Sequence, residues 1–146
     1  MFKKILPAIA AAVLLMPAYA AVASANVSGS ATKPVITAQT TIPAGEAGQA
    51  IGAVSVYVAA LVGDQAYFKD AKGNWVPYTG KQVAAYASMT PAPIGDVKID
   101  VLDGSLDVAA LKGTKIIIGW GKGAVPFADP FADMLNNLRF SVVHTL

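Results

Sequence analysis

The stretch TKIIIGWGKGA, Thr114 to Ala124, decides the fold. A β-branched run, Ile116 to Ile118, leads into Gly119, Gly121 and Ala124, which stand at the spacing G-x-G-x-x-A of a dinucleotide-binding turn. That turn needs a helix opening directly behind the glycines, a second parallel strand, and an acidic residue about 20 positions on to hold a ribose. Here Val125-Pro126-Phe127 follows, which cannot open a helix in register, and the positions near 140 are Arg139, Phe140 and Ser141. A P-loop fails as well, because no Gly-Lys-Ser or Gly-Lys-Thr stands at the required spacing. The glycines are therefore read as places where a central strand bends and leaves its sheet.

Working outward, short strand patterns dominate. VITAQTTI is the expected first strand, PAGEAGQAIG a loop, and VSVYVAALV a strand buried on both faces. DQAYFKDAKGNWVPY reads as a hairpin: Tyr67 and Phe68 end one arm, Asp70 to Asn74 turn, and Trp75 to Tyr78 return, with Gly73 supplying positive φ. TGKQVAAYASMTPAPIG is an irregular crossover with room for one helical turn, stopped by Pro91 and Pro93. DVKIDVLDG alternates as a strand, and SLDVAALKGT is a turn sending Leu106, Val108 and Leu111 to the core. Asp129-Pro130 caps a short helix over PFADMLNN, and RFSVVHTL is the last strand and a natural sheet edge. The sum is an all-β, Ig-like antiparallel β-sandwich of about seven strands with one short helix near the C-terminus.

The beginning of the chain carries an address. Lys3 and Lys4 precede an apolar run from Ile5 to Met16, and two small-x-small sites follow, at Ala18-Tyr19-Ala20 and Ala23-Ser24-Ala25. This is the order of a secretory signal peptide, and the run is shorter than the roughly 20 residues that span a bilayer. Residues 1–25 are read as the leader, with cleavage after Ala25 and Ala20 as the alternative site. Residues 26–33, NVSGSATK, are a flexible lead-in, and 34–146 a single domain. The expected location is periplasmic or secreted.

Composition narrows the chemistry. Eleven Lys and Arg stand against nine Asp and Glu, and two of the lysines lie in the leader, so the remainder is balanced. A neutral surface offers no electrostatic basis for nucleic acid, and no transmembrane segment is expected after leader cleavage. With no cysteine, zinc-thiolate sites and cysteine nucleophiles are excluded. His144 is the only histidine, and neither Ser88 nor Ser105 lies in a nucleophile elbow, so no enzyme is expected and no cofactor.

Two residue sets remain as candidates. Asp100, Asp103 and Asp107 are hard oxygen ligands that a structural calcium could use, although Asp103-Gly104 is also an ordinary turn dipeptide and Asp107 an ordinary cap. Trp75, Tyr78 and Tyr86 are rings on which a glycan could stack, or else staples within the sheet. The leading expectation is a noncatalytic contact module whose partner is an envelope protein or a second copy; a carbohydrate-binding module is the alternative.

The order of motifs from about Ile51 onward carries a resemblance. Val56-Tyr57-Val58-Ala59-Ala60, Tyr67-Phe68 with Trp75, Asp107, Leu111 and Gly113-Thr114 lead to Gly119-Trp120-Gly121. Asp133-Met134-Leu135, Asn137, Arg139-Phe140 and Val143-His144-Thr145 complete it. This series resembles a β-rich domain of unassigned function that recurs in exported proteins of Proteobacteria. Relatives often carry tyrosine where Trp120 and His144 stand, and KGAVPFADPF is a longer insert than usual. The resemblance implies export and a compact β domain, with no activity attached.

Overall fold

The computed structural model describes residues 22–43, 52–81, 83–90, 95–123 and 128–146. The apolar run of the leader, the Ala20 site, most of the loop before the doubly buried strand, Pro91, Pro93 and Val125 to Phe127 lie outside them.

Nine strands form among the described residues, where about seven were expected. In chain order they are β1 (Ala23–Gly29), β2 (Pro34–Ile42), β3 (Val54–Val62), β4 (Gln65–Lys69), β5 (Trp75–Pro77), β6 (Ala87–Met89), β7 (Gly95–Asp103), β8 (Lys115–Lys122) and β9 (Phe140–Thr145). A 3-10 turn, Ala109–Leu111, precedes β8, and one helix, α1 (Pro130–Asn136), precedes β9. Sheet A is β1-β2-β7; sheet B is β5-β4-β3-β8-β9, with β6 beside the first half of β3. Every pairing among these strands is antiparallel, so a parallel nucleotide fold has no place to form.

The two additional strands, β1 and β6, arise where the pattern was read as loop. The first half of the supposed lead-in, 26–29, lies in β1 together with Ala23 to Ala25: Ala23 to Gly29 pair residue for residue with Thr40 to Pro34. Its small polar residues look disordered because the strand is a sheet edge that buries little, yet backbone hydrogen bonds hold it. Similarly, Ala87 to Met89 pair with Val54 to Val56 in the segment expected to hold a helical turn.

Sheet B is covered on both faces, which explains the continuous burial of β3 and β8. Toward sheet A, Val54, Val56, Val58, Ile116, Ile118 and Trp120 meet Ile36, Ile42, Ile99 and Val101. On the opposite face, Tyr57, Phe68, Tyr78, Ile117 and Phe140 pack with Phe131 and Met134 of α1. Phe131 meets Tyr57 and Phe68 edge-on, with centroids 5.4 and 5.5 Å apart. The domain is thus two sheets plus a third, partial layer.

The glycines of the opening stretch serve this third layer. An added Cβ at Gly119 would stand 2.5 Å from both the Arg139 carbonyl oxygen and the Met134 sulfur. Close approach of backbone, more than strand bending, is what they provide. Asp129 caps α1 as expected, its Oδ1 accepting from the Ala132 N–H at 3.0 Å. Leu106, expected in the core, is 42 % exposed, while Val108 of the same turn is buried.

Candidate functional site

The hairpin β4–β5 builds one wall of a groove. Asp70 closes its turn: Oδ1 accepts from the N–H groups of Lys72 and Asn74, both at 2.9 Å, and Gly73 takes a φ of 88°. These bonds hold the Asp70 carboxyl below its ordinary 3.8, the Asn74 N–H contributing most. The turn sets Lys69 opposite Trp75, on one face of the hairpin, with the ammonium 5.8 Å from the ring centroid.

The other wall is β7, and a bulge shapes it. Thr37 pairs with Asp100 and Ile36 with Leu102, leaving Val101 as the extra residue. Lys69 reaches across and donates to the carbonyl oxygens of Asp100 and Val101, at 2.8 and 2.7 Å. Burial lowers the Lys69 pKa below the usual 10.5, while the charges of Asp103 and Asp100 act the other way. Tyr86 adds a second clamp, its hydroxyl accepting from the Asp100 N–H at 3.2 Å. Between the walls lies a groove of about 610 Å³ with Trp75, Val35 and Val101 as apolar lining and Thr37, Asp103 and Ser105 as polar groups.

The sequence candidates fall as follows. Trp75, Asp100 and Asp103 come together at this groove, although they were drawn from two different sets. Tyr78 does not join them: it is buried against Phe68 on the far face of sheet B, ring centroids 6.0 Å apart, so the three rings make no common platform. Tyr86 packs at the edge of the main core and uses its hydroxyl on Asp100. Among the described residues no group of three His, Cys, Asp or Glu side chains could hold a metal ion. Asp103 Oδ1 instead accepts from the N–H and hydroxyl of Ser105, the hydroxyl bond lowering its pKa most, and Asp107 Oδ1 accepts from the Ala109 N–H. Those are turn and cap bonds, the ordinary use of such residues.

The hydroxyls considered for catalysis are likewise engaged. Ser88 Oγ lies 2.9 Å from Ser55 Oγ, Ser105 bonds Asp103, and His144 stands on β9 opposite Ile116. No described residue with a buried side-chain nitrogen or oxygen leaves it without a partner.

What the sequence reading missed is the lock between α1 and β8. Asp133 Oδ2 accepts from the Lys122 N–H at 2.8 Å and forms an ion pair with Arg139, whose guanidinium carbon lies 4.6 Å from the Trp120 ring centroid. Asp133, Arg139 and Trp120 are remote or unremarkable as a sequence pattern, and only the return of β9 beside β8 brings them together.

Fold and site define a predominantly β-sheet domain with a groove between its sheets and, among the described residues, no cluster of metal ligands and no thiol. The chain matches no family model, no curated protein and no solved structure.

Proposed function

We propose that the protein is an exported, noncatalytic module, Ig-like in the facing of its two sheets, that acts by contact with another protein of the cell envelope through the outer edge of β1. The condition of the sheet edges supports this reading. Lys69 and Tyr86 occupy the outer side of β7 at its bulge. A bulge at Val143 interrupts β9, and Ser141 of that strand accepts from the Val22 N–H. The third edge, β5, spans three residues and ends in Pro77. Each is a recognised way of blunting an edge against addition of a further strand.

β1 has none of these devices. It is seven residues long, carries no charge and no proline, and is exposed from Asn26 to Gly29, with Val27 at 47 %. An extended partner segment adding there would gain main-chain hydrogen bonds, and the uncharged strand would not repel it. Among the described residues no helix is long and apolar enough to cross a membrane.

The test is capture from envelope extract by the wild type and by Val27→Lys, with and without EDTA. A protein held by the wild type and lost with the lysine supports the reading; equal capture by both, or none, overturns it. Light scattering in parallel identifies self-association, which would appear as a dimer broken by the same substitution.

A second reading has one observation in its favour: Trp75 lines a groove bordered by Thr37, Asp103 and Ser105, a combination of ring and polar groups suited to a glycan. Polysaccharide retention that disappears in Trp75→Ala would select it.

A further inference from the structure

We infer that the leader is cut after Ala20, so that the mature protein begins at Ala21 and keeps the whole of β1. The inference rests on the export reading above and goes beyond it, because the two small-x-small sites are equally acceptable to a peptidase that reads small side chains. The fold separates them.

Val22 and the three residues after it are structural. The Val22 N–H donates to Ser141 Oγ at 2.7 Å, and the Val22 carbonyl accepts from Thr40 Oγ1 at 2.9 Å. Both hydroxyl residues are buried while this segment is in place, Thr40 at 1 % and Ser141 at 4 % exposure, so losing it exchanges ordered partners for solvent. Ala23, Ser24 and Ala25 pair with Thr40, Gln39 and Ala38, and the alanine side chains pack against the main core.

A cut after Ala25 would remove all of this. It would leave the Thr40 and Ser141 hydroxyls short of partners, open one side of β2, and place a new ammonium on Asn26, opposite Thr37 in the body of sheet A. The remaining four residues of β1 are all exposed and bury nothing that could hold them. A cut after Ala20 keeps the bonds of Val22 and the whole of β1 in place, with the new ammonium on Ala21, ahead of them.

The experiment is to express the full chain with its own leader in a Gram-negative host, recover it from the periplasm, and determine the intact mass and N-terminal sequence. A start at Ala21 is expected. An exported chain starting at Asn26 overturns this inference alone, whereas an uncut chain retained in the cytosol overturns the export reading with it. Purified chains starting at Ala21 and at Asn26 give an independent check. The shorter one is expected to melt about 10 °C lower, and equal melting would show that residues 21–25 are dispensable.

Discussion

The carbonyl oxygen of Pro130 occupies the space that a side chain at Gly121 would need: a Cβ built there would lie 1.7 Å from it. The first residue of α1 is therefore seated directly on the backbone of β8. Gly121→Ala is expected to force α1 off the sheet, at a cost of about 3 kcal/mol or more, seen as a lower urea midpoint. Gly52→Ala has nothing within 4 Å of the added methyl and is the control. It should be neutral or stabilising by roughly 0.5 kcal/mol.

Asp133 ties that same helix to the next residue of β8. Replacing it with alanine removes the acceptor for the Lys122 N–H and leaves Arg139 without this carboxylate beside the Trp120 ring. The expected loss is about 2 kcal/mol. A shift in tryptophan emission before global unfolding would show that the Arg139–Trp120 contact has gone.

Tyr57 gives the fold an alkaline limit. Burial, followed by the charge of Asp129, pushes its hydroxyl up from 10.0 to about 12. The folded state therefore holds the neutral phenol, and its contribution is complete below pH 10 and lost as pH rises through about 12. Chemical denaturation between pH 9 and 12 should show Tyr57→Phe losing less stability than the wild type, by on the order of 2 kcal/mol at the upper end. An unchanged profile would mean that the phenol is wet.

Asp70 acts at the opposite end of the scale. Its carboxyl is held below 3.8 by the turn's N–H groups, so the stability it adds is present above that value and lost as pH falls through the lowered one. Asp70→Ala should flatten the acid limb of the stability curve and increase hydrogen exchange at Asn74. Retention of the wild-type limb would remove this carboxylate from the account.

Much of the β architecture was legible because its signals are local. The hairpin at Asp70 to Asn74, the doubly buried β3, the alternation of β7 and the Asp129 cap each need only neighbouring residues to declare themselves. β1 was not legible, since Ala, Ser, Asn and Gly carry weak strand preference and are held by backbone bonds to β2. The site was read only in part. Side-chain spacing suggested Trp75 with Tyr78, but alternation along the returning arm sends Tyr78 to the other face of sheet B. The joining of Trp75 to Asp100 depends on Lys69 crossing between sheets, which no local pattern encodes.

The closure of sheet A carries a kinetic consequence. Val35 pairs with Asp103, and all of β3 to β6 lie between them in the chain. A polypeptide emerging from its amino end must hold the β1–β2 arm open until β7 arrives, and pairing across so long a loop is slow. Closure of sheet A is then a late event, one that waits until the chain has been made as far as Asp103.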